Sequence, residues 1–213
     1  DGKDETHDYF YHNIGQDFTL NMDLEPTEEL AFAGAHLYAY SYIWNKRAAL
    51  SADDVEGCFT MTCPDGTKAG MKMWMKGEED RRIFQAYSPM IDALTRTPMP
   101  YDIRNTPCQT YVARQYGEAW DRPFVAVYQP YATGDVKSVA SVEYFGEGYV
   151  GIKVTLSDGS VNYIFSSDRD MKMSYDGIET DARLCFVSEG RKFISRGTYL
   201  KINGKKIIKQ KKQ

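Results

Sequence analysis

Short runs with a two-residue period, each closed by a turn signal, follow one another along almost the whole chain. Tyr111, Ala113 and Gln115 alternate with Val112, Arg114 and Tyr116, and the same period returns from Phe124 to Tyr128. Successive side chains on a strand face opposite sides, so such alternation predicts half-buried strands. Tyr38, Tyr40, Tyr42 and Trp44 share one parity, which predicts a further strand over 37–44 with an aromatic face. Between 57–63 and 68–75 stands Pro64-Asp65-Gly66-Thr67. Proline presets φ there and glycine accepts positive φ, so the two runs read as a hairpin. Gly146-Glu147-Gly148 and Ser157-Asp158-Gly159 join 136–145, 149–156 and 160–166 into a meander. Glu189-Gly190 and Asn203-Gly204 mark later turns. No amphipathic helical pattern competes with this rhythm. The chain reads as all-β, built of antiparallel β-sandwich layers.

The rhythm breaks once. Residues 88–107 hold Pro89, Pro98, Pro100 and Pro107, and 95–107 has no sustained period. That segment reads as a long crossing loop with one short helical turn near 90–94. It divides the chain into 1–106, the end of a larger, supersandwich-like set of layers, and 107–213, a smaller C-terminal β-sandwich.

Charge and composition exclude several function classes. A formal charge of −4 and a pI near 5.5 lack the basic footprint of a nucleic-acid binder. No apolar run approaches the roughly 18 residues of a membrane-spanning helix. No secretion signal is visible, and the chain is expected to be a segment of a longer protein. Cys58, Cys63, Cys108 and Cys185 match no zinc spacing. Cys58 and Cys63 point to opposite faces of a strand, so no local disulfide is expected, and small buried residues are the plain reading. Asp158, Asp168, Asp170 and Asp176 do not fit a calcium loop. Neither a metal nor a cofactor is expected. Six lysines between Lys201 and Lys212 read as a last strand and a solvated tail.

Two places carry residues with chemistry. In the first strand His7, Tyr9 and Tyr11 share one face while Asp8, Phe10 and His12 share the other. A histidine and a tyrosine together suit acid and base roles beside a uronate carboxylate. One strand, however, supplies neither a group to neutralise that carboxylate nor a cleft. The second place is the corner after residue 116, where Glu118, Asp121 and Arg122 crowd Trp120. Paired carboxylates serve as acid and base in glycosidases. Here Arg114 or Arg122 is expected to pair with them, with Trp120 as a buried structural anchor.

Three stretches carry a family resemblance: THDYFYHNIGQDFTL at the start, RQYGEAWDRPFVAVYQPY in the middle and GYVGIKVTLSDGSVNYIFSSD over 148–168. Together and in this order they resemble the C-terminal β-sandwich region of heparinase II/III-like polysaccharide lyases. The resemblance implies a missing N-terminal α/α toroid domain and β-elimination on a uronate-containing polysaccharide by the full-length protein. It also implies a periplasmic or secreted location. In that family the toroid supplies the tyrosine and the carboxylate neutraliser. This chain has no toroid helices, so no catalytic residue carries over, and the segment is expected to be inactive alone. His7, Tyr9, Tyr11 and His12 remain as the residues placed to contact an acidic polysaccharide. A free-standing carbohydrate-binding sandwich, acting through exposed aromatic rings, is the alternative.

Overall fold

The computed structural model describes residues 5–13, 17–29, 40, 42–89, 107–135 and 138–211. No α-helix occurs among them; the chain is strands and turns. It forms two compact units, Asp1–Gly134 and Asp135–Gln213.

Among the described residues the first unit holds nine strands. One antiparallel sheet has the order β1-β8-β7-β4-β3, formed by β1 (Thr6–Asn13), β8 (Pro107–Tyr116), β7 (Arg82–Pro89), β4 (Trp44–Leu50) and β3 (Glu25–Pro26). The other has the order β2-β5-β6-β9, formed by β2 (Asp17–Leu20), β5 (Val55–Thr62), β6 (Lys68–Met75) and β9 (Ala126–Ala132). Phe18, Val55, Phe59, Met73 and Met75 of the second sheet meet Ile83, Tyr111 and Ala113 of the first in one core. Alternation explains the choice: Phe59 is fully buried while Thr60 next to it faces outward to Tyr131. The first sheet is buried on both faces. Val112, Phe84 and Ala48 line its second face with Tyr40 packed against them.

The second unit is a smaller sandwich. Its five-stranded sheet runs β10-β11-β12-β15-β16, from β10 (Val139–Phe145), β11 (Val150–Leu156), β12 (Val161–Ser166), β15 (Leu184–Val187) and β16 (Lys192–Ser195). Its four-stranded sheet runs β13-β14-β17-β18, from β13 (Met173–Tyr175), β14 (Ile178–Thr180), β17 (Tyr199–Ile202) and β18 (Lys205–Lys209). Phe165, Met173, Ile178, Cys185 and Leu200 close the core.

Three sequence expectations change. The division falls between Gly134 and Asp135, not at 106/107. β8 pairs with both β7 and β1, and Pro89 stands opposite Pro107, so the proline-rich segment joins two neighbouring strands of one sheet. The short helical turn near 90–94 lies outside the described residues. Tyr40 and Tyr42 sit in a 3-10 turn, and strand begins only at Trp44; the rest of the expected 37–44 strand, apart from Ile43, is not described. β4 then carries a register shift between Trp44 and Arg47, with Asn45 at φ 52°. Such a bulge needs a residue that tolerates the left-handed region, and asparagine does. The lysine-rich end is ordered further than expected: Asn203 and Gly204 turn β17 into β18, whose lysines stand on a sheet edge. Charges there discourage pairing with other chains.

Candidate functional site

β1 lies at an edge of its sheet, and parity sorts its side chains as expected. Tyr9 and Tyr11 face inward. The Tyr9 hydroxyl lies 2.6 Å from that of Tyr128, and the Tyr11 and Tyr128 rings sit 4.5 Å apart. Burial, then the hydrogen bond with Tyr9, pushes the Tyr128 phenol well above its ordinary range. These tyrosines pack against the core and offer little to a polysaccharide. His7 shares their parity, half-buried opposite Gln115. His12 is exposed on the other face, edge-on to Phe10 at 5.6 Å. The four candidates therefore divide between two faces of one strand and do not converge on a substrate.

The outward face of β1 carries a different cluster. Arg114 donates from Nε and Nη2 to the two Asp8 carboxylate oxygens, each at 2.7 Å, and the Tyr40 hydroxyl also donates to Asp8. Arg114 Cζ lies 5.6 Å from the Tyr40 ring centre. The bond to Asp8 raises the guanidinium's pKa, and burial followed by Asp8 pushes the Tyr40 phenol to about 12. Register places Asp8 directly opposite Arg114. Arg114 thus belongs to the β1–β8 ladder and not to the corner.

Trp120 overturns the buried-anchor expectation: it is 83% exposed. Neither does Arg122 pair with a corner carboxylate. It donates to the carbonyl oxygens of Tyr116 at 2.7 Å and Glu79 at 3.3 Å. Glu118 instead accepts the backbone N–H of Trp120 at 2.7 Å. The anchor is Arg81, only 1% exposed. Its guanidinium donates to Gln115 Oε1 at 2.6 Å and to the Lys76 carbonyl at 2.9 Å, and lies 4.6 Å from the Phe124 ring centre. Gln115 Nε2 then donates to the Arg122 carbonyl at 2.9 Å. Gly117 opens the corner at φ 86°, with its N–H bonded to the Glu5 carbonyl. A braced turn therefore leaves Trp120 in water, and Tyr116, at the end of β8 where the corner begins, is 62% exposed.

Three of the four aspartates have structural partners. Asp158 caps its own turn through Ser160, Asp170 pairs with Arg183, and Asp176 accepts from the Tyr163 hydroxyl. All four cysteines are free, Cys108 and Cys185 buried. Among the described residues no three histidine, cysteine or acidic side chains are grouped to hold a metal ion. Sequence reasoning missed Arg81, Asp8 and Tyr40 as organising residues. Each acts through a partner at least 32 positions away, and local pattern carries no signal at that range. Compared with models of protein families and with curated proteins, the chain matches none.

Proposed function

We infer that the chain is a non-catalytic β-sandwich that contacts carbohydrate, the sandwich segment of a polysaccharide lyase of the heparinase II/III kind. The observation that carries the carbohydrate contact is Trp120, 83% exposed on a braced corner. Removing a large apolar ring from water is favourable, so a large ring left in water suits a partner with an apolar face. The C–H face of a sugar ring is such a partner. The separation of His7 from His12 on opposite faces of β1 supports a role without chemistry, since elimination needs acid, base and a carboxylate neutraliser around one carbon. The lyase assignment rests on the three resembling stretches and on the acidic polysaccharide they imply. The same exposed indole equally serves a free-standing carbohydrate-binding sandwich. The coding sequence upstream of Asp1 separates the two, since several hundred helical residues there favour the lyase segment.

Incubation with heparan sulfate, alginate and chondroitin tests the reading. Saturable change in indole fluorescence with at least one of them is expected, without the ultraviolet absorbance of an unsaturated elimination product. Product formation that disappears in His7→Ala or His12→Ala would show the chain to be a catalyst. Absence of any fluorescence response would remove the carbohydrate contact.

A further inference from the structure

The Trp120 corner explains how a sugar face is held but not how an acid group is read. Glu118 and Asp121 flank the indole, and Arg122 is engaged with carbonyl oxygens. Cations must come from elsewhere. The sheet β2-β5-β6-β9 turns one face to the core, and its other face is arranged in rows by the register. Thr19, Cys58, Lys72 and Gln129 form one row; Asp17, Thr60, Gly70 and Tyr131 form the next. Polar residues on the open face of an antiparallel sheet are ordinary. Three features of this face go beyond that.

Tyr131 is held in place at both ends of its ring. A Cβ on Gly70 would stand 3.0 Å from Tyr131 Cε1 and 1.8 Å from the Phe59 carbonyl oxygen, so the ring lies over a strand position with no room for a side chain. The hydroxyls of Tyr131 and Thr60 are 2.7 Å apart. The ring is thereby oriented before any ligand arrives, which lowers the ordering cost of binding. Lys72 Nζ stands over the Tyr131 ring, 5.7 Å from its centre, so an anionic group that draws this ammonium aside uncovers the ring. Neither Lys72 nor Lys68 has an ion-pair partner among the described residues. Finally, a cleft of about 340 Å³ is lined by Asp17, Thr19, Thr60 and Lys68 of this sheet and by Gln85 and Tyr87 of the first; Tyr131 and Lys72 are not among its described lining residues, and Thr60, bonded to Tyr131, joins the two. That volume suits a small ligand. Hydroxyl, amide and ammonium groups line it, with Asp17 as the one acid among the described lining residues.

The geometry points to this face and cleft as a binding site for an anionic sugar residue, carboxylated or sulfated. Tyr131 stacks on the sugar ring, Lys72 and Lys68 meet the anionic group, and Thr60 hydrogen-bonds a hydroxyl. The assignment rests on the carbohydrate-binding reading above and adds the charge recognition that the Trp120 corner lacks.

Calorimetry of the whole chain with three hexasaccharides tests it: a mannuronate oligomer, a heparan-derived oligomer and a neutral cello-oligomer. Lys72→Gln and Lys68→Gln should each weaken binding of an acidic oligomer about threefold, the range of exposed charge pairs, and should flatten its salt dependence. Loss with the mannuronate oligomer identifies a carboxylate; loss with the heparan oligomer alone identifies a sulfate. Tyr131→Ala should abolish binding while Tyr131→Phe, which keeps the ring, retains it. The acidic oligomer should also protect Lys68 and Lys72 from acetylation, leaving Lys205, Lys206 and Lys209 unprotected. Protection of those three instead would overturn the site in favour of the β17–β18 hairpin. Equal binding of the neutral oligomer, unaffected by both lysine variants, would also overturn it. If Trp120→Ala abolishes binding and the lysine variants do not alter it, the site fails while carbohydrate binding stands. If no oligomer binds, both fail.

Discussion

Arg81 brings a guanidinium into the first core with no carboxylate at ion-pair distance among the described residues. Burial pulls its pKa down, yet a guanidinium stays charged in any protein environment. Gln115, the Lys76 carbonyl and the Phe124 ring share that charge and fix the corner that carries Trp120. The sequence shows an aromatic corner there but not which ring turns inward. Phe124, half-buried, is the ring of this corner that packs inward, reaching Arg81 and Tyr9. Tyr40 gives a prediction at the same scale. Folding holds its phenol un-ionised to about 12, against about 10 for a free tyrosine. Between those values the native state keeps a proton that the unfolded state has lost, so stability is complete below about pH 10 and falls as pH rises toward 12. Denaturant midpoints followed across that window should decline less steeply in Tyr40→Phe. An unchanged slope would remove Tyr40 from the Asp8–Arg114 cluster.

Strands were the legible level. The β5–β6 hairpin and the β10–β11–β12 meander lie where period and turn residues put them. β13 and β14 were not legible: three residues each, with a turn at Asp176-Gly177, they are too short to display a period. The proline-rich segment misled for a different reason. Composition marks an interruption but does not say whether the chain returns to the same sheet, and here β8 pairs beside β7. Both units also lay an aromatic ring over a cross-strand glycine, Tyr131 over Gly70 and Phe145 over Gly151. In the first, the obstruction to a side chain is backbone. Gly70→Ala should therefore destabilise the first unit by about 3 kcal/mol, the upper range for overpacking. Chemical denaturation checks this, and a loss below about 0.5 kcal/mol, ordinary for a surface change, would mean that β5 and β6 do not approach so closely.

At the scale of the molecule, two sandwiches with separate cores give a framework without a concentrated catalytic constellation among the described residues. What the first unit presents is surface: an exposed indole and a polar sheet face whose Lys68 and Lys72 have no ion-pair partner among the described residues. The all-β class was readable from the sequence, whereas the exposure of Trp120 depended on contacts of Arg81 that no local pattern records. That exposure is also where the carbohydrate reading is most open to test. Trp120→Ala is compared with the unchanged chain for two quantities, affinity for an acidic hexasaccharide and denaturation midpoint. The account predicts at least a tenfold loss of affinity, about 1.4 kcal/mol, with stability held within about 0.5 kcal/mol. Unchanged affinity, or a stability loss of about 3–5 kcal/mol as for a buried tryptophan, would contradict it.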